Sequence, residues 1–107
     1  MSDFERTAVV SVVDGTMIGP EIARQLPYAE VKERLHQTDG RVVVFAVADD
    51  APRIFPQNAD LSAGLLIAGV GPTEASVIVR EGALRALVIP VPPQPWPDEP
   101  AVLGRVD

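Results

Sequence analysis

Cysteine is absent from the 107 residues. Its absence removes disulfides and thiolate chemistry together and leaves a structural zinc site without its usual ligands. Histidine occurs once, at His36, and lysine once, at Lys32. Basic residues are outnumbered, and the formal charge of -6 argues against nucleic acid or an anionic membrane as partner, since both select clustered Lys and Arg. No apolar run approaches the ~18 to 20 residues needed to cross a bilayer. The opening Met1-Ser2-Asp3-Phe4-Glu5 has neither the basic start nor the apolar stretch of a secretory signal. A soluble cytoplasmic protein, free or within a particle assembled there, is the expectation.

What is present is dominated by one stretch. Arg41 to Ala48 reads Arg-Val-Val-Val-Phe-Ala-Val-Ala, the most continuously apolar and β-branched run in the chain. A strand with one wet face alternates polar and apolar residues. Seven apolar residues in succession therefore require both faces of this strand to be covered.

The flanking segments suggest how. Thr7 to Val13 has the same β-branched character and ends at Asp14-Gly15, so it reads as a first strand. Gly19-Pro20-Glu21 looks like a helix start, with proline at the first helical position and a carboxylate facing the positive helix end. Ile22, Ala23 and Leu26 would face the core, and Pro27 interrupts the helix. From Tyr28 to Gln37, the apolar Tyr28, Val31 and Leu35 recur at helical spacing, and Glu30 can pair with Arg34. This predicts a second amphipathic helix, with His36 facing its negative end and Thr38-Asp39-Gly40 closing it. Strand, helix, strand then implies that Thr7 to Val13 and Arg41 to Ala48 are parallel neighbours.

Asp49 to Ala63 reads as an irregular loop, pinned by Ile54, Phe55 and Leu61 or held out as a binding loop. Gly64 to Val70, Glu74 to Arg80 and Ala83 to Val91 follow as three strands separated by Gly71-Pro72-Thr73 and Arg80-Glu81-Gly82, an antiparallel meander. The fold expected is α+β: a mixed five-stranded sheet with one or two helices on one face, and a small partly closed β-barrel as the rival.

Residues 1–91 would form this single domain, and 92–107 an extended tail. Six of the eleven prolines fall between Pro90 and Pro100, which favours polyproline II. Trp96 sits among them, flanked by Pro93, Pro95 and Pro97. A side chain this large and apolar is seldom left in water, so Trp96 should dock on its own domain or on another chain.

Two functional readings follow. The first is a non-catalytic interaction or assembly module, part of an oligomer or of a larger particle such as a virion, whose tail contacts a neighbour through Trp96, Pro93, Pro95 and Pro97. The second is a small enzyme or ligand binder in which Asp14, Asp49, Asp50, Arg53 and Asp60 converge at the carboxyl edge of the sheet and hold a divalent cation or act as acid and base. No serine lies in a nucleophile elbow, and Gly69-Val-Gly71-Pro72 lacks the lysine of a phosphate loop. No cofactor is expected. Asp14-Gly15-Thr16-Met17-Ile18-Gly19-Pro20-Glu21-Ile22 resembles, over nine residues, the Gly-Asp-Gly-Ile-Gly-Pro-Glu turn of isocitrate and isopropylmalate dehydrogenases, with Thr16-Met17 inserted. The resemblance implies a strand, a turn and a helix here and carries no site residue.

Overall fold

Ser2 opens the chain's first helix. Its Oγ accepts from the Glu5 N–H at 3.1 Å, and its own N–H donates to Glu5 Oε1 at 2.8 Å, a reciprocal capping box that satisfies two orphan donors. The computed structural model, which describes residues 1–37, 40–90 and 100–106, thus begins with α1 (Asp3–Val13). The strand expected at Thr7 to Val13 is therefore corrected to a helix. Ala8, Val9, Val12 and Val13 are buried at helical spacing, which overrides the β preference of the valines.

α2 (Gly19–Gln25) starts at the expected Gly-Pro-Glu and gives way at Pro27 to a single 3₁₀ turn, Leu26–Tyr28. Ile22 and Leu26 are buried as expected. Ala23 is exposed, and Gln25 takes the core position instead.

The second expected helix is also a strand, β1 (Ala29–Gln37), paired antiparallel with β2 (Gly40–Val47). A bulge at Lys32 explains the misleading pattern. The register slips between Val31 and Glu33, so Val31, opposite Phe45, and Leu35, opposite Val42, fall on opposite faces. The helix end at which the sequence places His36 is therefore replaced by the end of β1.

β3 (Ala59–Ile67), β4 (Gly71–Arg80) and β5 (Ala83–Pro90) form the antiparallel meander that the sequence announces. Residues 102–106, assigned by the sequence to an extended tail, form β6 (Val102–Val106) against β3. Trp96, Pro93, Pro95 and Pro97 lie outside the described residues.

The result is an α+β domain with one open sheet of six strands in the order β1-β2-β5-β4-β3-β6, every pairing antiparallel. The mixed five-stranded sheet is corrected on both counts, because the supposed first parallel strand is α1 and two unanticipated strands form the edges. Nor does the sheet close: β1 and β6 are its two edges, at opposite ends of that order. Both helices lie on the same face, where Val9, Val12 and Ile22 pack with Phe45, Leu65, Val77 and Leu87.

The connection from β2 to β3 closes one end of the sheet. Ile54 is fully buried and donates its N–H to Gly82 O at 2.9 Å, while Gly82 N–H donates to Gln57 O at 2.9 Å. Phe55, by contrast, is 64% exposed and pins nothing. Gln25 ties this corner to α2: its Nε2 donates to Pro52 O (2.8 Å) and Gly82 O (3.0 Å), and its Oε1 accepts from Leu84 N–H (2.7 Å).

Candidate interaction surface

The run from Arg41 to Ala48, whose unbroken apolar sequence predicts two covered faces, is covered by described elements on one side only. Val43 and Phe45 are buried under the helices, at 7% and 2% exposure. Val42 and Val44 are half-buried and point the other way, to a face on which no described element packs; Ala46 beyond them is exposed.

Pairing registers build that face into two rows. One runs Leu35, Val42, Val88, Ser76, Ser62 across β1, β2, β5, β4 and β3; the next runs Glu33, Val44, Ala86, Ile78, Asp60. Leu35, Val42, Val44, Ile78 and Val88, half-buried around the buried Ala86, thus form one contiguous apolar patch. Polar groups ring it. Ser62 and Ser76 share a hydrogen bond of 2.8 Å, and Arg80 Nη1 meets Asp60 Oδ1 at 2.8 Å. That guanidinium holds the Asp60 carboxyl below its ordinary range. Beyond the ring, Leu66 (39% exposed) and Val106 (45%) extend the apolar surface toward β6.

The open edges are protected unequally. β1 carries Glu30, Lys32, Glu33 and Arg34 and its bulge, the devices that discourage strand addition. β6 is short, and its register against β3 slips between Leu66 and Ile67.

The carboxylates singled out by the sequence are scattered. Asp14 ends α1, and its carbonyl accepts from Arg105 Nη1 on β6 at 2.7 Å. Asp49 and Asp50 follow β2, and Arg53 Nη2 donates to the Asp49 carbonyl at 3.3 Å. Asp60 stands on the open face with Arg80. Among the described residues no three Asp, Glu, His or Cys side chains gather as a cation site. The convergence required two parallel strands ending at one edge, and α1 takes the place of one of them. Asp49 and Arg53 do share a cleft of about 450 Å³ with Lys32 and Arg85, lined at its base by Phe45 and Leu84.

A second cleft, of about 320 Å³, lies at the start of α1 between Phe4, Arg34, Arg41 and Ile89. Its carboxylate is Glu5, which is buried and receives two bonds from Arg34, Nε to Oε2 at 2.7 Å and Nη2 to Oε1 at 2.9 Å. The expected Glu30–Arg34 pair is replaced by this one. Hydrogen bonding to Arg34 outweighs burial and lowers the Glu5 pKa to about 2. A carboxylate locked in its ionised form cannot trade protons near neutrality, so Glu5 serves structure. Ser2-x-x-Glu5, the capping-box spacing, was the signal in the sequence that marked this corner.

The chain matches no family model, no curated protein and no solved structure. No helix among the described residues is long and apolar enough to cross a membrane.

Proposed function

We propose that this protein is a non-catalytic interaction and assembly module, a subunit or accessory component of an oligomer or larger particle, which docks through the uncovered face of its sheet. The observation that carries the reading is the alternation in β2. Its sequence is apolar at every position from Val42 to Val47, yet the described helices cover only Val43, Phe45 and their row. Half-buried β-branched residues in a contiguous patch leave apolar surface in water, and a patch rimmed by ion pairs and hydroxyls is the usual composition of a protein interface.

The tail belongs to the same reading. Trp96, set in sequence among Pro93, Pro95 and Pro97, is a large aromatic of the kind that anchors a neighbouring subunit. The ligand-binding alternative is not favoured, because its carboxylates stand apart.

Two substitutions test the proposal. Val44→Asp places a charge in the patch centre and should abolish association while leaving the far-ultraviolet dichroism unchanged. Trp96→Ala should weaken association without altering the fold. Undiminished association in both variants would remove the proposal.

A further inference from the structure

We infer that the occupant of the open face is a second copy of this chain, laid face to face about a two-fold axis that crosses the strands between the Val42 and Val44 rows. The inference rests on the docking reading above and names its partner.

Area permits it. Six strands about 4.8 Å apart, five to ten residues long at about 3.3 Å each, outline a face of roughly 700 to 800 Å². A stable dimer needs about 800 Å² per partner, and a pleated surface exceeds its outline. The domain is only 20 Å along its shortest axis, the thickness of two layers about 10 Å each. A second sheet would complete the sandwich in which aligned sheets bury such faces.

Chemistry then selects the axis. An in-plane axis parallel to the strands would place β2 over β3 of the other copy and set Asp60 against Val44, burying a carboxylate on an apolar side chain. An axis crossing the strands returns each strand to its own counterpart, running in reverse. The Val42 row then meets the Val44 row, so Val42 opposes Val44 and Val88 opposes Ala86. Glu33 falls opposite Leu35 at the rim, where its carboxylate stays in water. On β4, next to the sheet centre and hence least displaced by the inter-sheet angle, Glu74 lies two residues before Ser76, and Arg80 two residues after Ile78. The operation that exchanges Ser76 with Ile78 exchanges Glu74 with Arg80. Each copy therefore offers a carboxylate to the other's guanidinium, twice per dimer, as an isologous interface requires.

The experiment is light scattering on a sizing column, with the full chain and four single variants. The full chain should run at twice its 11.4 kDa. Val44→Asp should shift the dissociation constant about 100-fold or more toward monomer, while Met17→Asp, on the helix side, should not. Glu74→Arg and Arg80→Glu should each weaken self-association, because each places like charges together. Mixed with one another they should recover a dimer, since both cross pairs are then complementary. A mixture no better than its components would overturn the assigned axis, and a monomeric full chain would overturn the second copy. A monomer that binds an apolar dye, and loses it on Val44→Asp, has a free face awaiting a different protein, so docking survives and self-docking fails. A monomer that binds no dye loses both.

Discussion

Val42 and Val88 stand opposite one another on β2 and β5, on the face that neither helix covers. The neighbours of Val42 along the strand, Arg41 and Val43, point to the helix side, where Val43 is buried. One strand thus serves two interfaces, an internal one with α1 and α2 and an external one. Several measurable consequences follow from the contacts that hold the internal side together.

The Glu5–Arg34 pair makes stability depend on acid. The Glu5 pKa lies at about 2 in the folded chain, below its ordinary 4.5. Its contribution is complete above about pH 4.5 and is lost as pH falls from there through about 2. At about 1.4 kcal/mol per pH unit the ceiling is ~3 kcal/mol. Water around the half-exposed Arg34 reduces this to ~1 to 2 kcal/mol. Urea unfolding at a series of pH values should show the decline, and Glu5→Gln should flatten it.

Gln25 should be worth more than an ordinary buried glutamine. Gln25→Leu keeps the volume but leaves the Leu84 N–H and the Pro52 carbonyl without their partner. A loss of about 1 to 3 kcal/mol is expected, chiefly from the buried Leu84 N–H left unpaired, the Pro52 carbonyl being only partly buried, read as a lower denaturant midpoint with an unchanged m-value.

Gly82 stands at φ 74° in the turn between β4 and β5, after Glu81 at 56°. A Cβ there would lie 3.2 Å from Ile54 O and 3.3 Å from Arg53 Cβ. Gly82→Ala should cost about 1 to 3 kcal/mol, combining a strained conformation with a crowded one. Faster amide exchange at Ile54, whose N–H bonds to Gly82 O, would locate the damage.

Asp60 makes the opposite prediction. Its pair with Arg80 is open to solvent, with side chains 64% and 43% exposed. Such pairs contribute little to folding, so Asp60→Asn should leave the unfolding midpoint where it is.

Legibility in the sequence followed the reach of the signals. α2 is readable because Gly19-Pro20-Glu21 and Pro27 fix its ends locally, and the meander because its turns carry Gly69, Gly71 and Gly82 where positive φ is needed. α1 was misread because the β-branched valines outweighed the capping box at Ser2 and Glu5 and the 8-9-12-13 periodicity behind it. β1 was misread because the Lys32 bulge shifts the phase of a strand into helical spacing. Those two exchanges moved the supposed acidic site, since Asp14 now ends a helix. The open face was invisible for a further reason. An apolar run states that both sides of a strand avoid water, and only the pairing order reveals which side the chain's own helices leave bare.

The most direct test is the urea midpoint measured over a hundredfold range of protein concentration. If the open face is covered by a second copy, the midpoint of the unaltered chain rises with concentration, while that of Val44→Asp stays constant. A midpoint independent of concentration in both would contradict the account.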